Sequence, residues 1–358
     1  MIKAEPDEQR KQIAAQRLKV DFDSYDVTVD ELIRRFSQKR IEIAPVYQRQ
    51  FRWAEKQQSE LVESLLLGIP VPPLFMATNS RSAERVQWEV VDGLQRLLTL
   101  VNFAGDAATR RIVHPNQPPL KLTKLDKLKL LNGYEFSELP VDIGSLLMDR
   151  PMKVVVLNDK SDLQVRFDLF ERLNTGGVAL TQQEVRSCIY RGPFMDFIEK
   201  CAKSDRFLSV IRLPENRMKD GTPEDFTLRF FAFYYRYQLF DHSVKDFLND
   251  FAKEFRYNTD TNAMDITFEK TFSYLAKLFP DGIKTRKGQT PVNLFEAISV
   301  GAALAITQEA RPLVQNQMDW VTSSDLRSLT TGATNSRARV VGRIEFCRDR
   351  FLGRTSDV

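Results

Sequence analysis

A chain of 358 residues, 42% of them hydrophobic, is long enough for one large domain or two ordinary ones with real cores, which excludes a disordered chain. Its 52 lysines and arginines nearly cancel 48 acids, so the net charge of +4 excludes a nucleic-acid-coating polycation and leaves room only for a local basic face. Three scattered cysteines without a C-x-x-C pattern argue for a reducing cytoplasm, and the lack of an apolar leader or of an apolar run of about 20 residues points to a soluble protein without a membrane partner.

Residues 1–26 are polar and mixed in charge and read as an N-terminal arm. Thr28-Val-Asp-Glu31 has the spacing of a capping box and opens a helix through Leu32, Ile33 and Phe36. Ile41-Glu42-Ile43 alternates like a short strand, and Tyr47 to Trp53 forms a polar-aromatic loop. Glu55 to Leu67 is an amphipathic helix with Gly68 as its stop, after which Pro70, Pro72 and Pro73 force an extended connector into a strand at Leu74–Ala77. Trp88 to Val91 is a second strand, and apolar residues at helical spacing follow from Leu94 through Leu97, Leu98, Val101 and Phe103. Leu122, Leu125, Leu128 and Leu131 repeat with helical spacing, and Met152 to Leu157 is a buried strand returning to the first sheet.

From there the period is helical: Leu163 to Leu173, a second capping box at Thr181-Gln-Gln-Glu184, and two apolar helices opened by Thr222-Pro223 and Thr290-Pro291. A last helix, about Ser336 to Phe351, sets Arg339 and Arg343 four residues apart on one side. The expected architecture is α+β, with an α/β domain over 27–160 and an all-α domain over 161–358.

The chemistry narrows by absences. His114 and His242 are the only histidines and stand far apart, which argues against a histidine-dependent nuclease, a Ser-His-Asp hydrolase or a histidine-ligated zinc. There is no G-x-x-x-x-G-K-[ST] loop and no G-x-G-x-x-G after a strand. What survives is the strand-to-helix junction Asp92-Gly93-Leu94-Gln95-Arg96. Gly93 lets a phosphate approach backbone N–H groups at a helix start, Arg96 offers a fork of donors, Gln95 can orient a water, and Asp92 can hold Mg²⁺ through water. The opposing reading is a tight turn in which Asp92 caps the helix and Arg96 is solvated. Under the first, Arg96→Ala removes nucleotide binding at nearly unchanged stability; under the second it costs stability.

The segments PVYQRQFRW, LVESLLLGIPVPPLFM, WEVVDGLQRLLTLVNF and FERLNTGGVALTQQEV, in this order, resemble the N-terminal domain of GmrSD-type modification-dependent restriction systems, whose signature is DGQQR. Leu94 stands where that family usually has glutamine. The resemblance implies a ParB/sulfiredoxin-like α/β domain followed by a helical domain. It further implies binding and Mg²⁺-assisted hydrolysis of a nucleoside triphosphate, with Asp92, Gln95 and Arg96 catalytic and Asp92 on the metal. Gly93, Arg96, Arg49, Gln48 and Tyr47 would contact the nucleotide; Asn174, Thr175, Gly176 and Gly177 would either close over it or form a plain connector that uses glycine for positive φ, and Glu63 would either position water or metal or stand solvated on its amphipathic helix. The implied role is that of a sensor or regulatory subunit in restriction or phage defence, with cutting left to a separate HNH-type nuclease. A non-catalytic DNA-binding or scaffold protein, using Arg339 and Arg343 on DNA, is the alternative, and self-association stays open.

Overall fold

A computed structural model describes residues 6–16, 21–43, 53–79, 87–113, 118–158, 181–285, 288–308, 319–332 and 334–354, which fall into two compact units, residues 1–179 and 180–358. The first unit runs α1 (Pro6–Gln16), β1 (Phe22–Thr28), α2 (Val29–Ser37), β2 (Ile41–Glu42), α3 (Glu55–Leu67), β3 (Leu74–Asn79), β4 (Gln87–Asp92), α4 (Leu94–Ala104), α5 (Ala107–Val113), α6 (Val141–Met148) and β5 (Pro151–Leu157). Its five strands form one mixed sheet in the order β1-β5-β3-β4-β2, with β3 parallel to β5 and antiparallel to β4. Leu32, Val62, Leu65, Leu97, Val101 and Phe103 are buried, so α2, α3 and α4 each give an apolar stripe to the core of this unit.

The structure departs from the sequence reading in three places. Residues 22–26, expected in a polar arm, belong to an edge strand, Phe22–Thr28, paired antiparallel along β5; five of its seven residues are exposed, which hides the alternation of a strand. Thr28 does cap α2, its Oγ1 accepting from the Glu31 N–H at 3.2 Å, but the Glu31 carboxylate turns to Arg34 and Arg35 instead of completing the box. The leucines at 122, 125, 128 and 131 do not lie on one helix: only a single 3-10 turn, Lys129–Leu131, forms there.

Glu63 organises that irregular segment. It sits buried on α3 and accepts from the N–H groups of Lys127 at 2.7 Å and Leu128 at 2.8 Å, with Asp126 at 3.4 Å. It is therefore not a solvated residue of an amphipathic helix, and its oxygens are committed to anchoring a loop instead of to water or metal. Burial pushes this carboxyl upward, but the three backbone donors and Lys127 outweigh it and hold its pKa below the ordinary glutamate value.

The second unit is helical, with no strand among the described residues: α7 (Gln182–Ile189), α8 (Pro193–Ala202), α9 (Asp205–Val210), α10 (Thr222–Arg236), α11 (Val244–Phe255), α12 (Asn262–Leu278), α13 (Val292–Gln308), α14 (Ser324–Thr330) and α15 (Arg337–Phe351). The capping box at α7 is complete, Thr181 N–H donating to Glu184 at 2.7 Å while Thr181 Oγ1 accepts from the Glu184 N–H at 3.2 Å. Phe207, Phe230, Phe268, Phe272 and Phe295 interlock in a fully buried cluster, with Phe207 edge-on to Phe272 at 5.1 Å and Phe268 against Phe272 at 4.4 Å. Gly301 lets α13 and α15 meet closely, for a Cβ there would stand 2.6 Å from the Cys347 Cβ. All three cysteines are buried and free. Among the described residues no helix is long and apolar enough to cross a membrane.

Because the Glu63 pKa is lowered on folding, its contribution is complete above the unfolded glutamate range and is lost as pH falls through the folded value. Protection of the amides of Asp126, Lys127 and Leu128, taken relative to their intrinsic exchange at each pH, is expected to fall on acidification toward pH 4, and Glu63→Gln is expected to show the lowered protection already at neutral pH. Equal protection of these amides in variant and parent at pH 7 would refute the anchor.

Candidate functional site

At the junction of β4 and α4, strand register comes first. Phe75 of β3 stands opposite Asp92, and a register shift between Phe75 and Met76 leaves Val91 as an extra residue on β4. Such a bulge bends the strand and re-aims its last side chain. The chain then turns through Gly93 at φ +90°, a region that favours glycine, and a Cβ here would overlap Leu74 Cδ2. Helix α4 starts with no side chain capping it, so the N–H groups of its first turn and the positive end of its dipole face this turn.

Arg96, one turn into α4, folds back over the junction. Its Nη2 donates to Asp92 Oδ2 at 2.7 Å, and its Nη1 donates to the carbonyls of Pro72 and Pro73, the latter at 2.9 Å. The Arg96 side chain is only 12% exposed and that of Asp92 37%. The turn reading thus fails in both halves, since Arg96 is not solvated and Asp92 does not cap the helix. The phosphate reading changes too: the guanidinium braces the proline connector and Asp92, and the carboxylate keeps more exposure than the arginine.

Gln95 also holds backbone. Its Oε1 accepts from the Trp53 N–H at 3.1 Å, while Gln58 Nε2 donates to the Trp53 carbonyl at 3.0 Å and Gln58 Oε1 accepts from Asn102 Nδ2 at 3.0 Å. Two amide side chains therefore pin the end of the polar-aromatic loop beside the junction. Tyr47, Gln48 and Arg49 lie outside the described residues, as do Asn174, Thr175, Gly176 and Gly177.

Mg²⁺ needs less from the protein than zinc or calcium, one or two carboxylates with nucleotide phosphates and water completing the shell. Among the described residues no group of three His, Cys, Asp or Glu could hold a metal. Asp92, partly exposed beside an uncapped helix start, fits the single-carboxylate mode and no closed cage.

The basic face expected on the last helix is corrected in the second unit. Arg343 is fully buried, its Nη2 bonded to Glu296 and its Nη1 donating to the Thr334 carbonyl at 2.7 Å, so it has no surface with which to meet DNA. Arg339 Nη1 donates to the carbonyls of Ser328 and Thr331, joining the end of α14 to α15. Sequence reasoning missed Pro72 and Pro73 as acceptors. The signal was present, because an extended proline connector makes no internal hydrogen bonds and leaves its carbonyls to be claimed.

Arg96→Lys keeps the charge and loses the planar fork, so it is expected to cost about 1–3 kcal/mol in urea unfolding, as for loss of hydrogen bonds to a charged group. Unchanged stability would show that the bonds to Pro72 and Pro73 contribute nothing to the fold.

Residues 30–191 match the model of the GmrSD restriction endonuclease, N-terminal domain. The match contains the whole junction, from the proline connector to α4, and continues through α7. No curated protein and no solved structure matches the chain. Residues 30–191 of this chain therefore belong to the family of GmrSD restriction endonuclease N-terminal domains.

Proposed function

We propose that this chain is the nucleotide-binding sensor or regulatory subunit of a prokaryotic restriction or phage-defence system, with a nucleoside triphosphate held at the Asp92–Arg96 junction and Mg²⁺ held between Asp92 and the phosphates. A ParB-like character of the sheet unit and cutting by a separate HNH-type nuclease belong to the same proposal. The observation that carries it is the start of α4, which has no side-chain cap and is flanked by a partly exposed carboxylate. Backbone N–H groups and the dipole there favour phosphate oxygens.

Each residue has a defined task in this reading. Arg96 is a positioning residue that keeps Asp92 turned outward and the Pro72–Pro73 connector against the junction. Gln95 fixes Trp53 beside the junction. When bound, Mg²⁺ supplies charge neutralisation on the phosphates and a polarised water.

The test avoids Arg96, whose loss would disturb the fold. Leu94 is half-buried at the first position of α4, where an acid is favourable to the helix by about 0.3–1 kcal/mol and repels a phosphate. A thermal-shift screen with ATP, GTP, CTP and UTP, each with and without Mg²⁺, is expected to show stabilisation by one of them in the parent, about 2.7 kcal/mol at 100 times its Kd. Leu94→Asp is expected to keep the melting temperature of the free protein and lose that shift, while Leu94→Gln, which restores the usual family residue, keeps it. Phosphate release with the same nucleotide then separates hydrolysis from binding. A shift undiminished in Leu94→Asp, or none with any nucleotide, would overturn the assignment.

A further inference from the structure

The sheet of the first unit ends at β1, which has β5 on one side and, among the described residues, no strand on the other. Its hydrogen bonds show which backbone groups are left over. Asn158 N–H donates to the Asp21 carbonyl and Val29 N–H to the Arg150 carbonyl, each at 3.0 Å, and the register between them runs without a shift. In an antiparallel ladder only alternate residues turn their N–H and C=O toward the partner, so Asp23, Tyr25 and Val27 serve β5. Phe22, Ser24 and Asp26 turn theirs away from the sheet, and every residue from 22 to 26 is exposed. Such a row of unspent donors and acceptors is a template for another strand.

Sheet edges are commonly guarded by charge, but the acids of this one are engaged from within the sheet. Asn158 Nδ2 donates to Asp21 at 3.3 Å and to Asp23 at 3.0 Å, and Lys153 pairs with Asp26 at 3.6 Å. Two aromatic side chains stand out at the edge, Phe22 with 53% and Tyr25 with 43% exposure. Tyr25 is held in place: its ring stacks on Trp88 at 5.7 Å, and the Trp88 ring also carries the Arg35 guanidinium at 4.4 Å. A half-exposed ring fixed beforehand loses little freedom on docking.

We infer that this edge pairs antiparallel with β1 of a second copy of the chain, about a two-fold axis at Tyr25, independently of the function proposed for the Gly93 junction. The strand is self-complementary in that register. Ser24 of one copy stands opposite Asp26 of the other, and these are residues with free backbone groups, so each pair exchanges two hydrogen bonds. Asp23 stands opposite Val27, Phe22 opposite Thr28, and Tyr25 opposite Tyr25 at the closer spacing of a non-hydrogen-bonded pair. Registers centred on Asp23 or Asp26 set acid against acid, and one centred on Ser24 separates the tyrosines. A seven-residue strand is a small contact beside the roughly 1,200–2,000 Å² of a stable interface, so the dimer forms reversibly and has the isologous symmetry of a two-fold pair.

Analytical ultracentrifugation of the full chain, from micromolar to submillimolar concentration, is expected to show a reversible monomer–dimer equilibrium. Ser24→Pro removes an outward N–H and no hydrogen bond to β5, so it is expected to weaken the dimer at least tenfold while the melting temperature of the monomer stays in place. Tyr25→Lys and Tyr25→Glu each set like charges across the axis and are each expected to be monomeric, whereas their equimolar mixture is expected to associate again. A folding defect cannot produce that rescue. A parent that stays monomeric throughout would overturn the inference and leave the edge to a strand of another protein. Dimers undiminished in Ser24→Pro, or a mixture that fails to associate, would overturn it as well.

Discussion

At Gly93 the chain must leave a buried strand and enter a helix in the space of one residue, and it does so at φ +90° against the side chain of Leu74. Any Cβ there would meet both backbone strain and a steric overlap. That geometry sets where α4 points, and α4 in turn places Arg96 over the proline connector and Gln95 against Trp53. Strand β3, helix α3 and the end of the polar-aromatic loop are thereby all fastened to one turn. The polarity that makes the motif conspicuous is thus largely structural, and the Asp92 carboxylate stays partly exposed beside it.

Local signals predicted the elements well wherever the partner was also local. Gly68 ends α3 in the left-handed region at φ 72°, the run Trp88–Val91 is a strand, and Thr181 with Glu184 closes a full capping box. Prediction failed where the deciding partner was distant. The leucines from 122 to 131 have helical spacing, but the backbone there answers to Glu63, more than sixty positions away in sequence. Arg339 and Arg343 do share a side of a helix, yet periodicity cannot say that this side faces Glu296. The exposed edge strand Phe22–Thr28 has too little alternation to read, and its pairing with Pro151–Leu157 depends on a strand far along the chain. At the candidate site the residue types were legible and their tasks were not, because hydrogen bonds to Pro72, Pro73 and Trp53 leave no periodic trace.

The helical unit resolves a different problem, that of placing arginines in a core built from phenylalanine. Glu296, with no exposure, stands between Arg229 and Arg343, and Asp225 stands between Arg229 and Arg186. Such a chain of ion pairs is weak evidence for added stability, since desolvation offsets much of the attraction. Its value is geometric. Each charge must find its particular neighbour, so α7, α10, α13 and α15 have one mutual arrangement in which no carboxylate is left bare.

The close approach at Gly301 also seals the Cys347 thiol, and burial raises its pKa well above the ordinary value, while the Cys201 thiol is pushed up to about 12. With Cys188 also buried, every thiol of the protein lies in the helical unit and none is presented to reagent in the folded state. A maleimide or disulfide reagent applied to the native protein therefore acts as a clock for opening of that unit alone, blind to breathing of the sheet unit. Conversely, one cysteine introduced on the surface carries a fluorophore or spin label at a single place, with no native thiol to remove first.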